Sequence, residues 1–212
     1  MKISRFTMNP FGENCYILWS EPGGECIVVD PGMMQDREKE MITSFINDNK
    51  LTLKHLLLTH CHIDHACGAQ WLSERYGVEI EAGAKEAVIA ENMPIQAQRF
   101  GLKIDASSFV IDKILSEGDV ITLAGEDIKV LETPGHSPGS LSFYIADSSV
   151  ILTGDVIFQS SIGRTDLLGG SFTQLIDVIK TKILTLPDDT VIASGHGNTT
   201  TVGDEKIYNP FI

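Results

Sequence analysis

The chain has few cysteines, little positive charge and no long apolar run. Its four cysteines (Cys15, Cys26, Cys61, Cys67) make no C-x-x-C pair and no framework spacing, so free thiols in a reducing cytoplasm are expected. Sixteen Lys and Arg face 29 Asp and Glu, a net charge of −13 without a basic cluster. A nucleic-acid partner is not expected, since binding a polyanion needs clustered cations. No apolar stretch approaches the roughly 20 residues of a membrane span, so no membrane partner is expected either. The opening MKISRFTMNPFGEN lacks an apolar core and a small-residue cleavage site, so no signal peptide is predicted. Linkers, low-complexity tracts and charge blocks are missing as well. With 212 residues and 42% hydrophobic content, the reading is one domain over residues 1–212 with a sizeable core.

Histidine is also scarce. There are six, and three of them fall in LLLTHCHIDHACG, residues 56–68, straight after an apolar run.

Around that stretch the chain alternates strands and helices. KISRFTM, NCYILWS and ECIVVD read as strands separated by N-P-F-G-E-N and E-P-G-G turns. Residues 36–49 place Met41, Ile42, Phe45 and Ile46 at helical spacing. LKHLLLT predicts a buried strand and DHACGAQWLSERYG a helix running on from the motif. VEIEAG predicts a strand and residues 83–91 a helix, while residues 92–109 carry no clear element. DVITLAG, DIKVLETPG, SLSFYIAD and SSVILTGD predict four strands. Ser171 with Gln174 suggests a capping box ahead of an apolar stripe through Leu184, and TVIASGHG predicts a final strand. Two face-to-face sheets with helices outside fit this order better than one doubly wound sheet, because so many strands follow one another after residue 110.

Four predicted strands end alike: LLLT-His60, KVLETPG-His136, VILTG-Asp155 and VIAS-G-His196. Strand ends deliver side chains to one rim of a sheet on a packed base. A lone histidine after a strand is usually an ordinary core or surface residue, and His55, inside its strand, is read that way. One dense cluster plus three outlying groups is a different matter. Along an extended segment His60, His62 and Asp64 project to one side, while His65 points elsewhere. One tetrahedral ion cannot easily take all four, but two neighbouring ions can. Nitrogen and carboxylate donors suit zinc first, with manganese or iron as alternatives.

T-H-C-H-I-D-H, P-G-H-S, T-G-D and S-G-H, in this order, resemble the metallo-β-lactamase-fold hydrolases over essentially the whole chain. IVVDPG at 27–32 resembles the family's early Asp-Pro-Gly turn. SIGRTDLLGG at 161–170 and the SGHG ending resemble the glyoxalase II-like (hydroxyacylglutathione hydrolase-like) branch. The resemblance implies an α/β fold: an αββα sandwich of two mixed β-sheets with helices on the outer faces. It also implies two divalent ions, one held by His60, His62 and His136 and the other by Asp64, His65 and His196. Asp155 would bridge them, Asp64 would be catalytic, and Asp30 would orient a ligand or a loop. The substrate expected is a small molecule, a thioester: a thiol of pKa about 8.5 leaves without much help from an acid, whereas an amide needs a proton donor. Arg164 is the candidate for an anionic end of the substrate, with an ion pair to Asp166 as the competing role. The chain ends 16 residues after His196, which leaves out the helical domain that full-length glyoxalase II uses to hold glutathione. R-T-D in the same loop also resembles persulfide dioxygenases of this fold, which use one iron. A lactonase of this fold is a further alternative. A true β-lactamase is disfavoured, since many of these place a cysteine at the second metal where this chain has Asp155.

Overall fold

Period-two alternation along the strands decides how the layers stack, because neighbouring side chains leave a sheet on opposite faces. The structure is a computed structural model describing residues 1–104 and 106–212. Asp105, in the segment the sequence left unassigned, lies outside the described residues.

The first sheet runs β1 (Lys2–Met8), β2 (Glu13–Trp19), β3 (Glu25–Val29), β4 (Thr52–Leu57), β5 (Ile80–Gly83), β6 (Lys113–Leu115) in chain order. Pairing is antiparallel from β1 to β3 and parallel from β3 to β6. Helix α1 (Asp36–Asp48) connects β3 to β4. Helices α2 (Ile63–Ala66) and α3 (Ala69–Tyr76) connect β4 to β5, and α4 (Ala87–Ala90) and α5 (Met93–Arg99) connect β5 to β6. The second sheet holds β7 (Val120–Leu123), β8 (Glu126–Glu132), β9 (Leu141–Ile145) and β10 (Val150–Gly154). A small hairpin, β11 (Ile157–Phe158) with β12 (Ser161–Ile162), and helix α6 (Phe172–Val178) come next. The sheet then regains β13 (Val191–Ser194) and β14 (Thr200–Thr201), and α7 (Val202–Tyr208) follows. Its spatial order is β14-β13-β10-β9-β8-β7, with only β10 and β13 parallel.

The core falls into three bands that follow the alternation. Tyr16, Leu18, Ile27 and Val29 of the first sheet meet Ile128, Val130 and Phe143 of the second. Their neighbours Cys15, Ile17, Cys26 and Val28 turn outward and pack with Ile42, Ile46 and Leu72 of the helices. Ile151 and Ile192 turn outward from the second sheet onto Leu175, Val178 and Ile183. Each fully buried side chain of this kind contributes about 1.5–3 kcal/mol. The result is the expected αββα order, and the single doubly wound sheet is excluded.

Several boundaries differ from expectation. The helix predicted through DHACGAQWLSERYG breaks at Cys67–Gly68 into α2 and α3. Gly68 N donates to Pro31 O at 2.8 Å, and a Cβ there would lie 2.6 Å from that oxygen; the loop from β3 crosses at the break. The 83–91 helix is a 3₁₀ turn followed by short α4. Helix α5 occupies part of the unassigned segment, with Pro94 in its first turn. Ser171 Oγ accepts from Gln174 N at 3.4 Å, which is the N-cap half of the expected box. Strand β6, the β11–β12 hairpin and α7 had no counterpart in the sequence reading.

Candidate metal centre

Every predicted ligand lies just past a strand, at one edge of the sandwich. His60 and His62 follow β4, and Asp64 and His65 sit on α2, which begins right after His62. His136 lies between β8 and β9, Asp155 directly after β10, and His196 two residues after β13. The structure brings all seven together. The ligand atoms of His60, His62 and His136 lie within 4.8 Å of one another, as do those of Asp64, His65 and His196. Asp155 stands between the trios. Its Oδ1 is 3.3 Å from His65 Nε2, and its Oδ2 is 3.7 Å from His136 Nε2 and 3.5 Å from His196 Nε2. His55 lies elsewhere, bonded through Nδ1 to Glu81, which also pairs with Lys113 at 2.8 Å.

Hydrogen bonds at the far side of each ring decide which nitrogen faces the cluster. His65 Nδ1 donates to Asp30 Oδ2 at 3.0 Å, His136 Nδ1 to Arg164 O at 2.8 Å and His196 Nδ1 to Phe11 O at 3.2 Å. His60 Nδ1 reaches Thr59 Oγ1 at 3.1 Å, and that hydroxyl gives its own proton to Asp30 Oδ2 at 2.6 Å. A ring whose Nδ1 carries the proton offers a lone pair at Nε2. Four such lone pairs converge here, while His62 presents Nδ1, 2.9 Å from His136 Nε2.

Two nitrogen lone pairs facing each other at 2.9 Å repel unless a positive charge lies between them. His65 Nε2 and His196 Nε2 repeat the pattern at 3.2 Å. His60 Nε2 and Asp155 Oδ1 are buried with no hydrogen-bond partner among the described residues, a costly state for polar atoms that nothing satisfies. The donor set therefore fits divalent cations. A third possible trio, Asp30 with His60 and His65, is already committed. Both Asp30 oxygens accept from Thr59, one of them also from His65, so Asp30 holds the His65 ring directly and the His60 ring through Thr59.

Burial and charge separate the two halves. Burial, then the neighbouring rings, keeps His60 well below its ordinary pKa and pushes His62 down to about 3. Burial also lowers His136, against the pull of Asp155. Neutral imidazole is the form that ligates. In the other half burial opposes charge on His65, but the Asp155 and Asp64 carboxylates outweigh it and raise the pKa. Asp155 is held well below the usual carboxylate range by His65 despite its burial. A divalent ion bound here would compete with that proton for the same carboxylates.

Close packing at this edge leaves no room for side chains. A Cβ on Gly195 would lie 2.3 Å from Asp155 Oδ1 and 2.6 Å from His65 Cε1. Three contributors escaped the sequence reading. Glu13, fully buried at the head of β2, packs beside Gly32 against the α2 turn; an acid opening an apolar strand was its signal. Glu86 Oε2 accepts from Cys61 N at 2.8 Å, and its Oε1 accepts from Ser137 Oγ at 2.6 Å and Gly139 N at 2.8 Å. Gln96 on α5 accepts from Ile63 N at 3.0 Å and donates to Ile89 O at 3.0 Å. Neither Glu86 nor Gln96 stands out in its local sequence.

A cavity of about 340 Å³ opens onto His62, Asp64, His136 and Asp155, walled mainly by apolar side chains such as Ile89, Phe100 and Leu167. Arg164 lines it as well, with its guanidinium forked onto Asp166 at 2.7 and 2.8 Å.

A profile described as Metallo-beta-lactamase superfamily matches residues 8–196. The chain is 42% identical to a Haemophilus influenzae protein named hydroxyacylglutathione hydrolase GloC, an alignment covering 100% of this chain and 98% of that one. Among solved structures it superposes on the BLEG-1 B3 metallo-beta-lactamase at 34% identity and TM-score 0.89, covering 99% of each chain. It also superposes on TTHA1623 in a di-iron-bound form at 32% identity and TM-score 0.87, covering 99% and 100%.

Proposed function

The chain belongs to the metallo-beta-lactamase superfamily, and from that footing we propose that it is a metal-dependent thioester hydrolase of the hydroxyacylglutathione hydrolase kind. The observation that carries this reading is the pair of ligand trios flanking Asp155 on the floor of an apolar-walled pocket. His60, His62 and His136 would hold one ion and Asp64, His65 and His196 the other, with Asp155 standing between the trios. Zinc suits this donor set first, with iron or manganese able to replace it; the relative with two irons fits the same count. Such ions supply a nucleophile at neutral pH and Lewis-acid polarisation of a carbonyl.

The chain's own residues then set which acyl bond is cleaved. Asp64 lines the pocket as well as the cluster and takes the catalytic role, accepting a proton from the attacking water. Beyond the cluster ligands, the ionisable groups in the pocket wall are arginines, which give up no proton near neutrality. Apart from Asp64 itself, a leaving amine would find no acid in the pocket wall, whereas a thiolate leaves without one. Phe11 and Phe100, whose rings meet edge to face at 5.4 Å, close one side of the pocket, and the apolar walls strip water from the reacting bond.

The test is metal content of protein purified without added metal, together with turnover of S-lactoylglutathione and of a chromogenic β-lactam. Two ions per chain with thioester hydrolysis exceeding β-lactam hydrolysis supports the proposal. A single iron with oxygen uptake on a persulfide would replace it with the dioxygenase reading suggested by Arg164-Thr165-Asp166.

A further inference from the structure

The pocket wall holds a cation that nothing in the reaction above uses. Arg99 ends α5 and lines the same cavity as His62, Asp64 and Asp155. Among the described residues its side chain has no hydrogen bond, ion pair or ring contact, unlike that of Arg164, whose charge Asp166 answers through two bonds. The two arginines therefore present different fields: one a nearly neutral fork, the other an uncompensated guanidinium. In a chain of net charge −13, such a guanidinium is the local exception that lets an anion approach an acidic protein.

Helix α5 gives the backbone that carries Arg99 a fixed position. Gln96, one turn before Arg99, bonds Ile63 N of the ligand turn and Ile89 O at the end of α4. Residues three apart share a helix face, so Arg99 projects from the face that Gln96 fastens to the metal centre, about 4.5 Å further along the axis. Phe100, next in sequence, is braced against Phe11. The wall thus combines apolar side chains with the exposed Arg99.

We propose that Arg99, and not the neutralised Arg164, is the specificity-determining residue of this pocket, the group that receives a carboxylate carried on the thiol half of the thioester. The planar fork of Arg99 receives that carboxylate through paired N–H donors. The apolar walls hold the carbon chain between. This rests on the thioester reading for the identity of the reacting bond, and on Arg99 for the anion.

The test separates the two. Binding is measured by calorimetry on zinc-loaded protein with S-hexyl-N-acetylcysteine, a thioether that cannot be hydrolysed, and with the same molecule carrying a carboxamide in place of the carboxylate. The acid should bind wild type at least tenfold more tightly than Arg99→Ala, and the amide should bind both alike. Arg99→Lys should fall between, keeping the charge but not the fork. In parallel, hydrolysis of acyl thioesters of N-acetylcysteine and of N-acetylcysteamine, which lacks the carboxylate, should show the same preference in kcat/KM and the same loss in Arg99→Ala. Equal affinities of wild type for acid and amide would overturn the assignment, as would a preference that vanishes in Arg164→Ala but survives in Arg99→Ala. If the binding preference depends on Arg99 but no thioester is hydrolysed, the anion site stands and the thioester reading falls.

Discussion

Glu86 offers a perturbation whose size follows from its hydrogen bonds. Its buried carboxylate joins two ligand-bearing loops, through Cys61 between His60 and His62, and through Ser137 and Gly139 just after His136. Glu86→Gln can keep the carbonyl oxygen that serves Ser137 and Gly139. It then aims an NH₂ group at the Cys61 N–H, donor against donor. The loss is one bond to an ionised acceptor plus an unsatisfied buried donor, about 2–3 kcal/mol. For a chain of this length that lowers Tm by roughly 4–12 °C. The effect on metal should be lopsided. His60, His62 and His136 lose their common brace, so the affinity of that trio should drop about 10–100-fold, as for other outer partners of ligands. Asp64, His65 and His196 are held instead by Asp30 and Phe11 O, so one ion should stay tight. Zinc titration against a competing chelator, with melting of the metal-free protein by calorimetry, measures both. Two ions at wild-type affinity and a Tm within about 2 °C of wild type would refute the reasoning.

Asp155→Ala should remove one metal equivalent and lower kcat by at least about 10³-fold, read by metal analysis beside a thioester assay; two retained ions would contradict its place between the trios. His55→Gln should leave metal content intact and cost about 1 kcal/mol at neutral pH through the lost bond to Glu81. Burial raises the Glu81 pKa, but His55 and then Lys113 outweigh it, and the carboxyl titrates below its ordinary value. A depressed folded pKa contributes stability that is present above the unfolded value and lost as pH falls through the folded one. Urea melts of wild type and His55→Gln should therefore converge below about pH 4. Gly195→Ala should cost both metal affinity and folding yield, measured by the same chelator titration, because its methyl would occupy the space of Asp155 Oδ1.

The legible part of the fold was whatever repeats with a strong period. The strands over residues 13–19 and 25–29 alternate between two apolar environments, and the ligand positions show through because four apolar runs each lead into His or Asp. Short elements were the losses. Helix α5 hides behind Met93-Pro94, where proline sits in the first turn rather than ending a helix. The break at Gly68 depends on Pro31 passing 37 residues earlier in the chain, which no local pattern encodes. Glu86 and Gln96 were missed for a similar reason: each acts by reaching backbone atoms of another loop, so its spacing to its own neighbours carries no information. Arg164 was visible as a glycine-loop cation, but its neutralisation by Asp166 depends on geometry.

The two sheets supply the ligands unequally in sequence and jointly in space. His60, His62, Asp64 and His65 come from the loop after β4, and His136, Asp155 and His196 from the ends of β8, β10 and β13. Neither trio is complete on one sheet: the first borrows His136 and the second borrows His196. An ion held by either trio would thus rivet the seam of the sandwich, which the backbone itself crosses between β6 and β7, at residues 116–119. Whatever parts the sheets opens both ions at once, and ions that bind only the closed seam stabilise it by mass action in proportion to the logarithm of their concentration. Under that assignment metal supply would set how firmly the halves stay clasped, independently of any turnover at the edge where they meet.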